Sequence, residues 1–273
     1  KNHFKINTIC IGNIYTGGTG KTSLAIEINR IIKKKFKTVF IRKNYTDHKD
    51  EITFLEQKGK IIYLKDRLKS INLAQKKKFD VAILDDGLQQ KNIEYNLKIV
   101  CFNSKEFVGN GFLLPAGPLR ESFNEIENYD IVFLNGEHKN KKLYDKIKSI
   151  NKNIKIFEGR YKPLNLSYFN RKKKYLMFCG IGNPEEFENT LKKYNFKVKK
   201  KIIFADHYKI SNEEIKNIKN IARKEKLIII TTEKDYFRLN INQRKEIKIL
   251  KVKLEIKKIN KLKKILYKIN EKN

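Results

Sequence analysis

Short apolar runs alternate with amphipathic stretches along the first half of the chain. Runs at residues 7–11, 38–42, 60–64, 80–84, 98–102 and 130–134 are rich in Ile, Val, Leu and Phe and read as buried strands. Stretches at about 21–34, 66–77 and 139–150 put apolar residues at helical spacing. The alternation predicts an α/β fold, a mostly parallel sheet wrapped by helices. No long-period repeat is present, which argues against a solenoid.

A second α/β unit is predicted after a change of composition at 158–174. Tyr161-Lys162-Pro163-Leu164-Asn165 and Arg171-Lys172-Lys173-Lys174 read there as an extended linker. Strand 175–179 leads through Gly180-Ile181-Gly182-Asn183-Pro184 into helix 184–195, with Pro in its first turn and Glu185 and Glu186 near its positive end. Strand 196–204 follows, then the loop Ala205-Asp206-His207-Tyr208. Ser211 reads as the N-cap of the next helix, with Glu214 in the capping-box position. Strand 227–231 runs into Thr232-Glu233-Lys234-Asp235, and a later strand puts Val252, Leu254 and Ile256 on one face. The last helix lines up Ile259, Leu262, Ile265, Leu266 and Ile269 opposite its lysines. Basic amphipathic helices can lie on membranes, but packing on a sheet is the better reading here. The expected domains are 1–158 and, with the hinge, a smaller 159–273.

Composition narrows the function classes. The chain has 273 residues, 40% of them hydrophobic, enough for one large or two modest domains. No apolar run approaches the ~18 residues of a spanning helix, and no signal peptide is visible. The chain starts at Lys1 rather than Met, so any anchor before it lies outside the sequence. The net charge of +32 suits nucleic acid, anionic membrane or a phosphorylated substrate. The lysines, however, are scattered through every segment, and Lys, Ile and Asn are heavily used throughout, so most of the charge reads as compositional drift. Cys10, Cys101 and Cys179 each sit alone in an apolar run, without metal spacing, and read as small buried hydrophobes of a reducing cytoplasm.

The densest chemistry is Tyr15-Thr16-Gly17-Gly18-Thr19-Gly20-Lys21-Thr22, placed between a strand and a helix. Backbone N–H groups of such a turn, with the helix dipole, bind phosphate. Lys21 suits the β- and γ-phosphates and Thr22 suits Mg²⁺. The strict pattern G-x-x-x-x-G-K-[ST] fails at Tyr15, where Gly is expected, and Gly17-Gly18 can compensate. A P-loop NTPase-type domain follows. The strand at 80–84 ends in Asp85-Asp86-Gly87, carboxylates positioned for Mg²⁺. After strand 38–42, a polar loop offers Asp47, His48, Asp50 and Glu51 as acid/base candidates, where open parallel sheets gather ligands. Gly109-Asn110-Gly111-Phe112-Leu113-Leu114-Pro115-Ala116-Gly117-Pro118-Leu119-Arg120-Glu121 holds two of only four prolines and reads as a rigid loop, with Arg120 and Glu121 able to touch phosphate and metal. His207, in a loop after a strand, is a weaker functional candidate.

These stretches, in this order, resemble the tetraacyldisaccharide 4′-kinase family, the lipid A kinases of Gram-negative bacteria. The Leu113–Glu121 run is the most specific of them. The resemblance implies two α/β/α domains joined by a hinge and closing over ATP. It implies ATP- and Mg²⁺-dependent phosphorylation of the 4′-hydroxyl of tetraacyldisaccharide 1-phosphate. The enzyme would be peripheral to the anionic cytoplasmic face of the inner membrane, with the lipid disaccharide as partner. Carried over by position, Tyr15 through Thr22 cradle the nucleotide, and Lys21 contacts phosphate. Thr22, Asp85, Asp86 and Glu121 form the metal side. Asp50 takes the hydroxyl proton with His207 as its partner. The chain departs from the family pattern at Lys43, Asn44, Lys49, Ile52, Gln90, Tyr95 and Asn96.

Two other readings compete. A partitioning or metal-insertion ATPase would use the same loop but leave the Pro-rich loop and Asp206-His207 without roles. A basic nucleic-acid-binding module would use the charge and the 17 Phe and 13 Tyr, but no such motif is present, so nucleic acid is not expected as a partner. The sequence assigns no oligomeric state.

Overall fold

The computed structural model describes residues 2–44, 49–105, 108–136, 141–206 and 208–269, with the backbone alone at 49–51. In chain order the elements are β1 (Asn7–Gly12), α1 (Lys21–Ile32), β2 (Thr38–Lys43), α2 (Lys49–Glu56), β3 (Ile61–Leu64), α3 (Arg67–Lys76), β4 (Val81–Asp85), β5 (Leu97–Asn103), β6 (Ile131–Asn135), α4 (Lys141–Ile150) and β7 (Lys155–Pro163). Then come β8 (Lys174–Cys179), α5 (Pro184–Lys193), β9 (Lys197–Ile203), α6 (Asn212–Lys224), β10 (Ile228–Thr232), α7 (Glu233–Arg238), α8 (Ile241–Arg244), β11 (Ile247–Leu250), β12 (Val252–Ile256) and α9 (Ile259–Tyr267). Contacts divide the chain into two units. The first holds Lys1–Thr46, Leu55–Arg160 and Leu254–Asn273; the second holds Asp47–Phe54 and Tyr161–Lys253.

The first unit is organised by a sheet of order β12-β7-β6-β5-β1-β4-β2-β3. From β3 to β7 each pair is parallel. Every residue of β1 and β4 is buried, as expected of central strands covered on both faces. Helix α1 presents Leu24, Ile28, Ile31 and Ile32 to the interior, all at most 4% exposed, and packs on β1 and β4. Each such side chain contributes roughly 1.5–3 kcal/mol over its exposed state. Strand β4 hands the chain to β5 on the other side of β1, so the loops leaving β1 and β4 start side by side, where open α/β sheets bind ligands.

Three expectations change. Residues 155–163, read largely as linker, form β7, in register with β6 from Ile131↔Lys155 to Asn135↔Gly159. Phe157, Gly159 and Pro163 are buried in alternation with polar residues, so the strand shows only half an apolar signal. Gly159 is needed there: an added Cβ would lie 2.5 Å from the Phe133 ring. Residues 49–51, read as loop, begin α2. The end of the chain, expected in the second domain, returns to the first unit. There α9 lies against α1, burying Leu262 and Leu266. Tyr267 donates its hydroxyl to Ile31 O at 3.3 Å and meets the Phe36 ring edge-on at 6.3 Å. The apolar stripe of α9 is therefore a packing face, set in part against α1.

The second unit has a parallel sheet of order β11-β10-β8-β9. Tyr175 and Phe169 set their rings edge-on to Phe196, at 5.1 and 5.3 Å. The edge strand β9 carries Lys197, Lys199, Lys200 and Lys201, which discourages pairing with another chain. Ser211 and Glu214 close the expected capping box of α6. Helices α7 and α8 and strand β11 had no clear periodic signal. All three cysteines are buried and unpaired, and burial pushes the Cys10 and Cys179 thiols up to about 12.

Leu266→Ala is expected to destabilise the first unit by about 2–5 kcal/mol, read as a lower denaturation midpoint, whereas a lysine-to-alanine change on the exposed face of α9 should move it by less than about 0.5 kcal/mol.

Candidate active site

The phosphate-loop residues stand directly after β1. Positive backbone angles fall at Gly17 (φ 128°) and Gly20 (φ 84°), the two places where the turn needs glycine. Tyr15, where the strict pattern has glycine, is not among the positive-φ residues. Its backbone forms a bridge with Leu119, and its ring closes over Gly17 and Gly109. Gly20 caps α1 without any side-chain bond, and the first turn carries no acid. The positive end of the helix dipole is thus left for an outside anion.

Charged groups converge beside this turn. Strand β4 runs in register with β1, pairing Ile11 with Asp85. Thr22 Oγ1 donates to Asp85 Oδ2 at 2.9 Å. Arg42, from the end of β2, donates to the same oxygen. Asp85 has no solvent exposure and Arg42 is 7% exposed. Asp85 Oδ1 is buried and accepts no hydrogen bond among the described residues. Lys21 Nζ lies 3.1 Å from Asn13 Oδ1 and 3.7 Å from Asp86 Oδ1. Arg120 donates to Asp86 Oδ1 at 2.9 Å and to Asn13 Oδ1 at 3.1 Å. Arg67 donates to the Asp86 carbonyl. Burial raises the Asp86 carboxyl, but Lys21, Arg120 and Arg42 outweigh it and hold the group below its ordinary value. Gln89 bridges Asn13 O (2.8 Å) and Glu121 Oε2 (3.1 Å), and Tyr129 donates its hydroxyl to the same Glu121 oxygen at 3.1 Å.

The Pro-rich loop is fastened to the phosphate loop. Thr16 donates its N–H and its hydroxyl to Pro118 O, at 2.8 and 3.0 Å, and Arg120 N–H donates to Ile14 O at 2.8 Å. A Cβ on Gly109 would lie 2.7 Å from the Pro118 ring.

Lys21, Thr22, Asp85 and Asp86 are therefore brought together, and Glu121 is tied through Gln89 to Asn13, which Lys21 contacts. The side chain of Asp50, in α2, and the whole of His207 lie outside the described residues. Asp206, beside His207, has Lys234 Nζ and Arg238 Nη2 each at 3.7 Å. Asp235 is buried and accepts from Gly180 N–H (3.0 Å) and from the Thr232 hydroxyl (2.7 Å). This joins two of the stretches singled out in the second half of the sequence. Asn13 and Arg42 were not foreseen as site residues. Arg42 did leave a trace, as a charge at the end of an otherwise apolar strand.

The oxygen donors suit a hard cation such as Mg²⁺: an unpartnered buried Asp85 oxygen, a hydroxyl, and Asp86 at the edge. Among the described residues no three His, Cys, Asp or Glu gather as a metal cage. Mg²⁺ sites are usually completed by water and phosphate oxygens, so the set is compatible with one.

The sequence matches the family described as LpxK, tetraacyldisaccharide-1-P 4′-kinase, over residues 1–271. The chain belongs to the tetraacyldisaccharide 4′-kinase family. A tetraacyldisaccharide 4′-kinase of Pelagibacter ubique (strain HTCC1062) is 44% identical, over 98% of this chain and 86% of its own length. One from Rickettsia canadensis (strain McKiel) is 33% identical, over 95% and 84%. A crystal structure described as the "apo" form of LpxK from Aquifex aeolicus in complex with ATP shares the fold, with a TM-score of 0.72 at 24% identity, covering 97% of this chain and 89% of that one. The family's phosphate-loop kinase fold thus covers nearly the whole chain. No helix among the described residues is long and apolar enough to cross a membrane.

Two departures from the family pattern have structural roles. Tyr95 donates its hydroxyl to Gly87 O at 3.0 Å, steadying the turn after Asp86. Asn96 Oδ1 accepts from the N–H and hydroxyl of Thr8, at 2.8 and 2.9 Å, tying the entry of β5 to β1.

Arg42→Met should cost about 3–5 kcal/mol by leaving Asp85 buried and uncompensated. Arg42→Met/Asp85→Leu should regain much of that stability without regaining nucleotide binding, which denaturation and nucleotide titration would show. Because Asp86 has a lowered native pKa, its pairing stabilises fully above the ordinary value of 3.8 and is lost as pH falls through the native value. Asp86→Asn should flatten that acid slope in stability measured against pH.

Proposed function

We propose that the chain transfers the γ-phosphoryl group of ATP to the 4′-hydroxyl of tetraacyldisaccharide 1-phosphate, with Mg²⁺ as its metal. One juxtaposition carries the reading: in a member of this family, Lys21 beside Asp86 and Thr22 on Asp85, at the adjacent ends of β1 and β4. Thr22, Asp85, Asp86 and Glu121 would hold Mg²⁺, which neutralises charge on the phosphoryl oxygens when bound. Residues Tyr15 through Thr22 wrap the phosphates with backbone N–H groups. Lys21 exchanges its contact with Asp86 for the β- and γ-phosphates. Arg120, on the same carboxylate and at the edge of the site, adds positive charge toward the transferred group.

The acceptor oxygen attacks phosphorus, the bond to the β,γ-bridging oxygen breaks, and ADP leaves with that electron pair. Asp50 accepts the hydroxyl proton, with His207 as its partner. The segment carrying Asp50 groups with the second unit, as do Asp206 and Tyr208 on either side of His207. Much of the acceleration comes from positioning and charge stabilisation, with proton transfer late. The lipid acceptor puts the enzyme peripherally at the anionic cytoplasmic face of the bacterial inner membrane.

The test is transfer of labelled γ-phosphate from ATP to tetraacyldisaccharide 1-phosphate in detergent micelles. Label in the lipid is expected, with Lys21→Ala lowering the rate by about 10²–10³-fold; near-normal turnover of that variant, or ATP hydrolysis without lipid labelling, would refute the assignment. Asp50→Ala and His207→Ala should each lower kcat more than they raise KM for ATP. The double variant should be little worse than the poorer single one, and multiplicative losses would separate the two residues.

A further inference from the structure

The Pro-rich loop turns three consecutive large apolar side chains to solvent. Phe112, Leu113 and Leu114 are 63%, 49% and 56% exposed. Among the described residues no other run of three large hydrophobics is exposed in this way. Single exposed hydrophobics are ordinary, but a contiguous run points to a binding surface.

The loop that carries them is tightly bonded. Leu114 N–H donates to Leu119 O at 2.8 Å, Gly117 N–H to Leu113 O at 2.9 Å and Leu119 N–H to Phe112 O at 3.1 Å. The Asn110 amide donates to Ala116 O at 3.0 Å and accepts from Phe112 N–H at 3.1 Å. Gly117 closes the loop where a Cβ would lie 2.2 Å from Asn110 Oδ1 and 2.4 Å from Phe112 O. Backbone bonds therefore hold three apolar side chains in water, although the same bonds would form with polar residues at these positions. The base of the loop is bonded to the phosphate loop through Thr16–Pro118 and Ile14–Arg120, so whatever the tip touches is fixed relative to Lys21.

The medium that suits such a tip is the acyl region of a bilayer. An acceptor with four acyl chains is held in a membrane. The net charge of +32 draws the chain toward an anionic lipid surface. We propose that Phe112, Leu113 and Leu114 form a wedge that inserts into the anionic bilayer holding the lipid acceptor and seats the phosphate loop at its surface. The purpose of the wedge rests on the lipid-kinase reading; its detection does not.

The chain has no tryptophan, so Phe112→Trp supplies a single fluorescent probe at the tip. With vesicles of phosphatidylethanolamine and phosphatidylglycerol, its emission should move to shorter wavelength and be quenched by brominated acyl chains. Phe112→Ser/Leu113→Ser/Leu114→Ser, which removes no buried group, should keep the unfolding midpoint and the KM for ATP. It should lose vesicle co-flotation and raise KM for the vesicle-borne acceptor by about tenfold or more, with kcat at saturation retained. An unshifted, unquenched probe, or a serine variant that floats and turns over like the parent, would overturn the wedge. Failure of the parent chain to label lipid would count against the kinase reading alone, and the fluorescence would still decide the wedge.

Discussion

An ionised carboxylate without solvent exposure is tolerated only where counter-charge and hydrogen bonds surround it, and Asp85 imposes that demand at the end of a central strand. Its neighbours meet it from both sides. Strand β2 contributes Arg42, and the helix following β1 contributes Thr22, both on Oδ2. The strand order β1-β4-β2 makes this possible, because β4 lies between the strand that precedes the phosphate loop and the strand that ends in the guanidinium. Among the described residues Oδ1 has no partner. A buried acceptor oxygen beside the phosphate loop suits a hard cation that arrives with its own anions. Around Asp85 and Asp86 stand Lys21, Arg42, Arg67 and Arg120. These four cations outnumber the carboxylates of Asp85, Asp86 and the neighbouring Glu121 and leave a positive surplus, which is what a polyphosphate requires.

The same arrangement explains how an imperfect phosphate-loop pattern can still form the turn. Glycine is needed where φ is positive, and the structure places that need at Gly17 and Gly20. The position of Tyr15 makes a different demand, for backbone that can bridge to Leu119, and a side chain there can fill space between two glycine-bearing loops. The Pro-rich loop is thus a second wall of the phosphate site. Its Arg120 reaches Asp86 because its backbone is fastened at Ile14 and its preceding turn at Thr16. Distortion at the loop tip would be transmitted to Arg120 through these bonds.

Much of the fold was legible because central strands are apolar on both faces. The runs ending at Ile11, Leu84, Phe102 and Leu134 all became strands of the parallel sheet. β7 was hidden because one face carries Glu158, Arg160 and Lys162, and because Gly159 and Pro163 are turn formers when read locally. Only the register with Phe133 and Asn135 shows why a glycine belongs there. The residues that open α2 read as loop because Lys49, Asp50 and Glu51 precede its apolar positions Ile52 and Leu55. In the site, Lys21, Thr22 and the paired aspartates were legible from spacing along the chain. Arg42 showed only as a charge ending an apolar strand: its value depends on β4 lying beside β2, a long-range fact that no local pattern carries. Asn13 was missed for the same reason, since a buried asparagine that receives both Lys21 and Arg120 looks like any polar residue at a strand end.

Charge and apolar exposure act here over different ranges. Attraction between exposed lysines and an anionic surface fades within about 8–10 Å at physiological salt and carries little orientation when the lysines are scattered over the chain. Several of them are already engaged: Lys201 with Glu188, Lys257 with Glu158, and Lys200 with Glu225. A positive surplus of this kind can raise the local concentration of the enzyme at a membrane but cannot aim a phosphate loop. Orientation needs a short-range contact rigidly joined to the reacting groups. Phe112, Leu113 and Leu114 have that connection, because a few hydrogen bonds run from their loop to Thr16, Ile14 and, through the Arg120 side chain, to Asp86. On the proposed reading, diffuse charge serves approach and a stiff apolar tip serves alignment, complementary parts of one physical solution to acting on a lipid.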